Sequence, residues 1–156
     1  MNEQNESVSQ DTSDGEVSLR QLLARAIRSE IEAAETYRNL LEKDLPEETR
    51  PKIERLVTQE EEHEENFRSI FEDFFPNSEI PLPERSEIEV PSEIPQGVTP
   101  DEIIEKAMET EREAENFYSD LIEEFEDKEV QRLLGYLAAN EREHYEILKV
   151  QLNKLE

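Results

Sequence analysis

Along most of the chain, apolar side chains recur every three to four positions, and they do so in four blocks. The first runs Leu19, Leu23, Ala26, Ala33, Tyr37, Leu41, and the second Ile53, Leu56, Phe67, Ile70, Phe74. The third runs Ile104, Ala107, Ala114, Tyr118, Leu121, Phe125, and the fourth Val130, Leu134, Leu137, Leu148, Leu152. This spacing follows the 3.6-residue turn of an α-helix and predicts four amphipathic helices. Ser18 with Gln21, and Thr99 with Glu102, have the form of capping boxes that open helices one and three. Pro46 and Pro51 bracket a short link into helix two, Pro76 ends it, and a turn near 126–128 separates helices three and four. Residues 76–98 hold five prolines and no helical period, which predicts an extended crossover long enough to run back along a helix. Helix pair, crossover, helix pair predicts an all-α four-helix bundle over 18–156, made of hairpins 18–75 and 99–156 with linker 76–98. Residues 1–17 are polar, carry no period and predict a flexible acidic tail.

Each apolar stripe is broken once near its middle by a glutamate: Glu30, Glu60, Glu111 and Glu141. A lone carboxylate in a core costs several kcal/mol, so each must be neutralised, paired or bound to a metal. In helices two and four a histidine follows three residues later, as Glu60-x-x-His63 and Glu141-x-x-His144. Three residues is just under one helical turn, so both side chains leave the same face and can grip one ion. The halves repeat: adding 81 to Glu30, Tyr37, Glu60 and His63 gives Glu111, Tyr118, Glu141 and His144. The same offset pairs Ala33 with Ala114, Leu40 with Leu121, and Leu56 with Leu137. Two such hairpins about a pseudo-twofold axis would gather four carboxylates and two imidazoles at the bundle centre, a donor set for two metal ions. Tyr37 and Tyr118 lie two turns beyond Glu30 and Glu111, placed either as core or to hydrogen-bond a ligand glutamate of the opposite repeat. Glu61, Glu62 and Glu65 read as solvated, while Glu64 lies close to the stripe. Gly135 reads as a point of close packing, and Met108 and the phenylalanines as core.

Composition narrows the chemistry. Asp+Glu number 42 against Lys+Arg 17, a formal charge of -25. Such a surface attracts cations and disfavours binding to nucleic acid or an anionic membrane. No cysteine is present, which excludes thiolate metal sites, iron–sulfur clusters, disulfides and thiol nucleophiles. Oxygen and imidazole donors suit Fe(II) and admit Mn(II). No apolar run has the length of a membrane span and no signal-peptide core is seen, so a soluble, cytoplasmic protein is expected.

Glu30…Glu60-x-x-His63…Glu111…Glu141-x-x-His144 resembles the ferritin-like di-iron carboxylate superfamily, and the tyrosine placement resembles its rubrerythrin branch. Each half alone resembles the hairpin of encapsulated ferritins. The resemblance implies a ferritin-like bundle around two iron ions, with Glu60 and Glu141 bridging, Glu30 and Glu111 terminal, and one histidine, His63 or His144, on each iron. It implies oxidation of Fe(II) by O2 or H2O2, as a ferroxidase or a peroxide scavenger, with Glu60, Glu141, Tyr37 and Tyr118 as the catalytic groups. Two departures bear on the reaction. Full rubrerythrins carry a cysteine-ligated rubredoxin domain, so a catalytic cycle here needs an external electron donor. Rubrerythrins also place an extra glutamate where this chain has Ala114, leaving a symmetric six-residue ligand set. The alternatives are a non-catalytic iron-binding, delivery or storage module and a plain structural bundle. The long crossover suits a homo-oligomer with exchanged hairpins as well as a closed chain.

Overall fold

The computed structural model describes residues 18–84 and 97–155. The predicted tail, residues 85–96 of the crossover, and Glu156 lie outside the described residues. Four helices follow in order: α1 (Leu19–Leu41), α2 (Arg50–Phe74), α3 (Pro100–Leu121) and α4 (Lys128–Leu155). A single 3₁₀ turn, Ile122–Glu124, joins α3 to the loop before α4. This is the all-α, ferritin-like four-helix bundle that the periodicity and the resemblance predict. Among the described residues, no helix is long and apolar enough to cross a membrane.

The repeat extends to the helix ends. Ser18 Oγ accepts from Gln21 N at 3.2 Å, and Thr99 Oγ1 from Glu102 N at 3.2 Å. In each box the later side chain accepts from the backbone of the cap, at 3.4 Å and 3.0 Å. Both hairpin turns are stapled from the first turn of the following helix. The Arg50 guanidinium donates to the Leu41 and Lys43 carbonyls at 2.8 and 3.0 Å. Gln131, 81 positions later, donates Nε2 to the Phe125 carbonyl at 2.8 Å and the Ile122 carbonyl at 3.4 Å. Carbonyls left over at a helix C-terminus need such donors.

The core falls into two layers, one at each end of the bundle. Leu22, Ala26 and Ile27 from the start of α1 cluster with Phe67 late in α2, Tyr118 late in α3 and Val130, Leu134 and Leu137 early in α4. Tyr37 and Leu40 from the end of α1 cluster with Ile53 and Leu56, Ile103 and Ile104, and Leu148. Neighbouring helices therefore run antiparallel, α1 against α2 and α3, and α4 against α2 and α3. Each fully buried Leu, Ile or Phe contributes about 1.5–3 kcal/mol. These two layers offset the cost of the polar layer held between them.

The stripe is wider in α1 than the sequence suggests. Leu22, Ile27 and Leu40 are buried, whereas Leu19, Ala33 and Leu41 are only partly so, because α1 packs against two partners. In α2 the core continues from Phe67 to Phe71 and not to Phe74, which is 39% exposed at a surface cleft. A Cβ added at Gly135 would meet nothing within 4 Å, so close packing does not explain that glycine. Phe125 lies beyond the end of α3 and is half-buried.

Candidate metal centre

Between the two apolar layers the four interrupting glutamates and both histidines come together, all buried. His63 Nδ1 lies 3.4 Å from Glu30 Oε1 and 3.6 Å from Glu60 Oε1. His144 Nδ1 lies 3.1 Å from Glu60 Oε2 and 3.6 Å from Glu111 Oε2. Glu141 completes the group: one oxygen or nitrogen each of Glu111, Glu141 and His144 falls within 4.8 Å of the others, as do those of Glu60, His63 and His144. The two imidazoles stack, with centroids 5.7 Å apart and an interplanar angle of 16°. Tyr37 donates its hydroxyl to Glu111 Oε2 at 2.5 Å, across the repeat. Tyr118 is equally buried, but among the described residues it donates no such bond to Glu30.

The neighbouring glutamates behave as solvated groups. Glu61, Glu62 and Glu65 are exposed, Glu61 pairs with Arg38, and half-buried Glu64 accepts from Arg68 Nε at 2.9 Å. The sequence reading missed one buried carboxylate. Glu32 is 1% exposed, and two residues from Glu30 put it on another face of α1.

Burial and mutual repulsion shift the proton affinities in this layer. Burial, then the charge of Glu60, drives Glu30 well above the usual carboxylate range. Burial, then the charge of Glu111, does the same to Glu141. Burial pushes Glu60 up as well, but contact with Glu30 and the charge of His144 outweigh it and hold Glu60 well below that range. For His144, burial lowers the pKa, yet Glu60 and Glu111 together push it up to about 11. Tyr37 and Tyr118 are raised by burial first, with Glu111 and Glu141 respectively the next cause. Without metal, then, the layer favours the protonated forms of Glu30, Glu141 and His144 and the ionised form of Glu60.

The geometry leaves the polar layer imperfectly satisfied. Glu30 Oε1, Glu60 Oε2 and His144 Nδ1 are buried without a hydrogen bond, although the last two lie only 3.1 Å apart. Buried donors and acceptors are nearly always paired, so a cluster of three orphans calls for a shared partner. The oxygen and imidazole donors fit a divalent transition metal. Beside them the four glutamates, Ser29, Ala33, Thr110 and Ala114 bound a cavity of about 10 Å³. That is room for about one water-sized molecule and not for an organic substrate.

The sequence model of the rubrerythrin family matches residues 21–152, which includes every residue of this cluster. The chain belongs to the rubrerythrin family. A hypothetical protein from Pyrococcus furiosus has a similar solved structure, with a TM-score of 0.76 and 34% sequence identity over 87% of this chain and 89% of that one. An uncharacterised protein of Archaeoglobus fulgidus is 42% identical over 55 residues, which is 35% of this chain and 86% of its own length. That relative is little longer than one hairpin, in keeping with the internal repeat of this rubrerythrin-family chain. The family is one of di-iron proteins, and the buried cluster offers the carboxylate and histidine groups that could hold metal.

Proposed function

We propose that this chain is a non-haem di-iron oxidoreductase that oxidises Fe(II) with O2 or H2O2, as a ferroxidase or a peroxide scavenger. The observation that carries the reading is the convergence of two Glu-x-x-His pairs and two further glutamates on one buried, under-satisfied layer. On this reading Glu30 with His63 serves one ion, Glu111 with His144 serves the other, and Glu60 and Glu141 lie between them. When bound, two Fe(II) ions supply two electrons and the positive charge that stabilises reduced oxygen. Reduction of one H2O2 to two waters consumes those two electrons and two protons. The chain's own part is to hold the donors in place, keep bulk water out and admit a small oxidant. Tyr37 fixes the orientation of Glu111 through its 2.5 Å bond, and Tyr118 covers the opposite repeat. The small cavity, bounded by alanines at 33 and 114, leaves no room for an organic substrate.

The lack of cysteine favours a second reading, an iron-binding, delivery or storage module without turnover, because no thiolate relay can re-reduce the site from within these residues. One experiment separates the two. Anaerobic Fe(II) titration followed by mixing with O2 or H2O2, with and without an external reductant, should give two irons per chain and repeated ferric bursts. A single stoichiometric burst supports the module reading. Binding unaffected by Glu60→Ala with His63→Ala would overturn both.

A further inference from the structure

The repeat that places the donors is broken at one position next to them. Tyr136 on α4 lays its ring against the His63 imidazole edge to face, with centroids 6.1 Å apart and an angle of 73°. The position 81 residues earlier, which would bear the same relation to His144, is Arg55, an exposed side chain. Two further differences follow the same division, although His144 Nδ1 too lacks a hydrogen bond. His63 is 8% exposed and His144 only 1%. Glu111 is tied to Tyr37 at 2.5 Å, whereas Glu30, its repeat mate, has an oxygen with no hydrogen bond. Tyr136 is itself 48% exposed, so its ring forms the outer wall over His63 and has solvent on its far side.

We propose that the two halves of the centre exchange metal at different rates. The Glu30–His63 half is the labile one and Tyr136 is its lid, while the Glu111–His144 half is locked by Tyr37. The ligand is a divalent cation, and the inference rests on the two-metal reading above. An exposed aromatic ring can swing by side-chain rotation alone, on a timescale far shorter than any helix displacement. A fully buried histidine whose neighbouring glutamate is pinned by a phenol has no such exit. The Tyr136 ring, and not its hydroxyl, does this work, because the ring is what contacts the imidazole. Tyr136 is thus a positioning residue that acts on the ion through His63.

Co(II) is a suitable probe, because its visible absorbance reports coordination and it takes no part in oxidation by air under mild conditions. The full-length protein is loaded with Co(II), mixed with excess EDTA, and followed by stopped-flow absorbance. The wild type should release its two ions in two phases of equal amplitude. Tyr136→Ala should speed the faster phase roughly tenfold and leave the slower one unchanged, since the shell around a metal controls solvent access. Tyr136→Phe should behave as wild type. Tyr37→Phe should speed the slower phase only. Release in a single phase from the wild-type protein overturns the proposal whether or not any variant folds. So does a Tyr136→Ala effect on the slow phase, or a Tyr136→Phe that behaves like alanine. If no Co(II) or Fe(II) binds at all, the two-metal reading fails first, and that outcome is distinct from two ions bound and released together.

Discussion

Glu141 shows how one residue serves two states. In the metal-free protein its proton affinity is raised, by burial first and by the charge of Glu111 second. A carboxyl whose folded pKa is raised loses its stabilising contribution as pH climbs through that folded value. Glutamine has the shape of the neutral acid and cannot lose a proton. Metal-free Glu141→Gln should therefore match wild type near pH 5 and exceed it at pH 9 by on the order of 1 kcal/mol in urea unfolding, while losing at least one bound ion. A variant less stable than wild type at pH 9 would mean that the ionised form is the native one. All six residues of the cluster were legible in the sequence, because a glutamate inside an apolar stripe is anomalous and the anomaly recurs at a fixed offset. Glu32 was not legible, since it lies off the stripe, where a solvated glutamate is the ordinary expectation. Tyr136 was hidden for a similar reason: no linear pattern tells which exposed aromatic leans on a histidine of another helix.

At the level of elements, Arg50 resolves an apparent misfit. A cation in the first turn of α2 opposes that helix's own dipole, yet its guanidinium reaches the carbonyl end of α1, where positive charge is favoured. Its two bonds fix the hairpin turn and satisfy two carbonyls there. Arg50→Ala should cost about 1–2 kcal/mol in urea unfolding, within the range for charged hydrogen bonds at a part-buried site. Arg50→Gln, copying the Gln131 staple of the other hairpin, should recover part of the loss. Equal destabilisation by Ala and Gln would show that the staple is not what the side chain provides. The helix starts were legible, because Ser18-x-x-Gln21 and Thr99-x-x-Glu102 act within three residues. The staples act on carbonyls six to nine residues back across a loop, and local propensity does not reach that far. The mistaken placement of Phe74 in the core has a related cause. The stripe of α2 steps by four at Phe67 to Phe71, and only the arrangement of the partner helices decides between a step of four and one of three.

For the molecule as a whole, gathering four buried carboxylates in one layer of a chain of formal charge -25 ties its stability to protons and, on the proposed reading, to metal. Glu30, Glu141 and His144 all bind protons more tightly when folded than when unfolded. For groups raised in this way the contribution to stability is complete below the ordinary pKa and is lost as pH rises through the folded one. For His144 that window runs from 6.5 to about 11. Glu60 is shifted the other way, so its contribution is present above 4.5 and is lost as pH falls below that value. As far as these groups decide it, the metal-free protein is most stable near 4.5, loses the Glu30 and Glu141 contributions as pH rises above that value, and loses the His144 contribution above 6.5. On the proposed two-metal reading, metal should reverse the trend, because an ion can take these side chains only after their protons leave, and a divalent charge replaces what the protons supplied. Thermal unfolding of the metal-free and Mn(II)-loaded protein from pH 6 to pH 9 should then show a difference in Tm that widens with pH. Proton release should be measurable on Mn(II) addition in weak buffer over the same range. A Tm difference that stays constant with pH, together with no proton release at pH 6, would mean that the layer is already ionised and that some other charge balances the four glutamates.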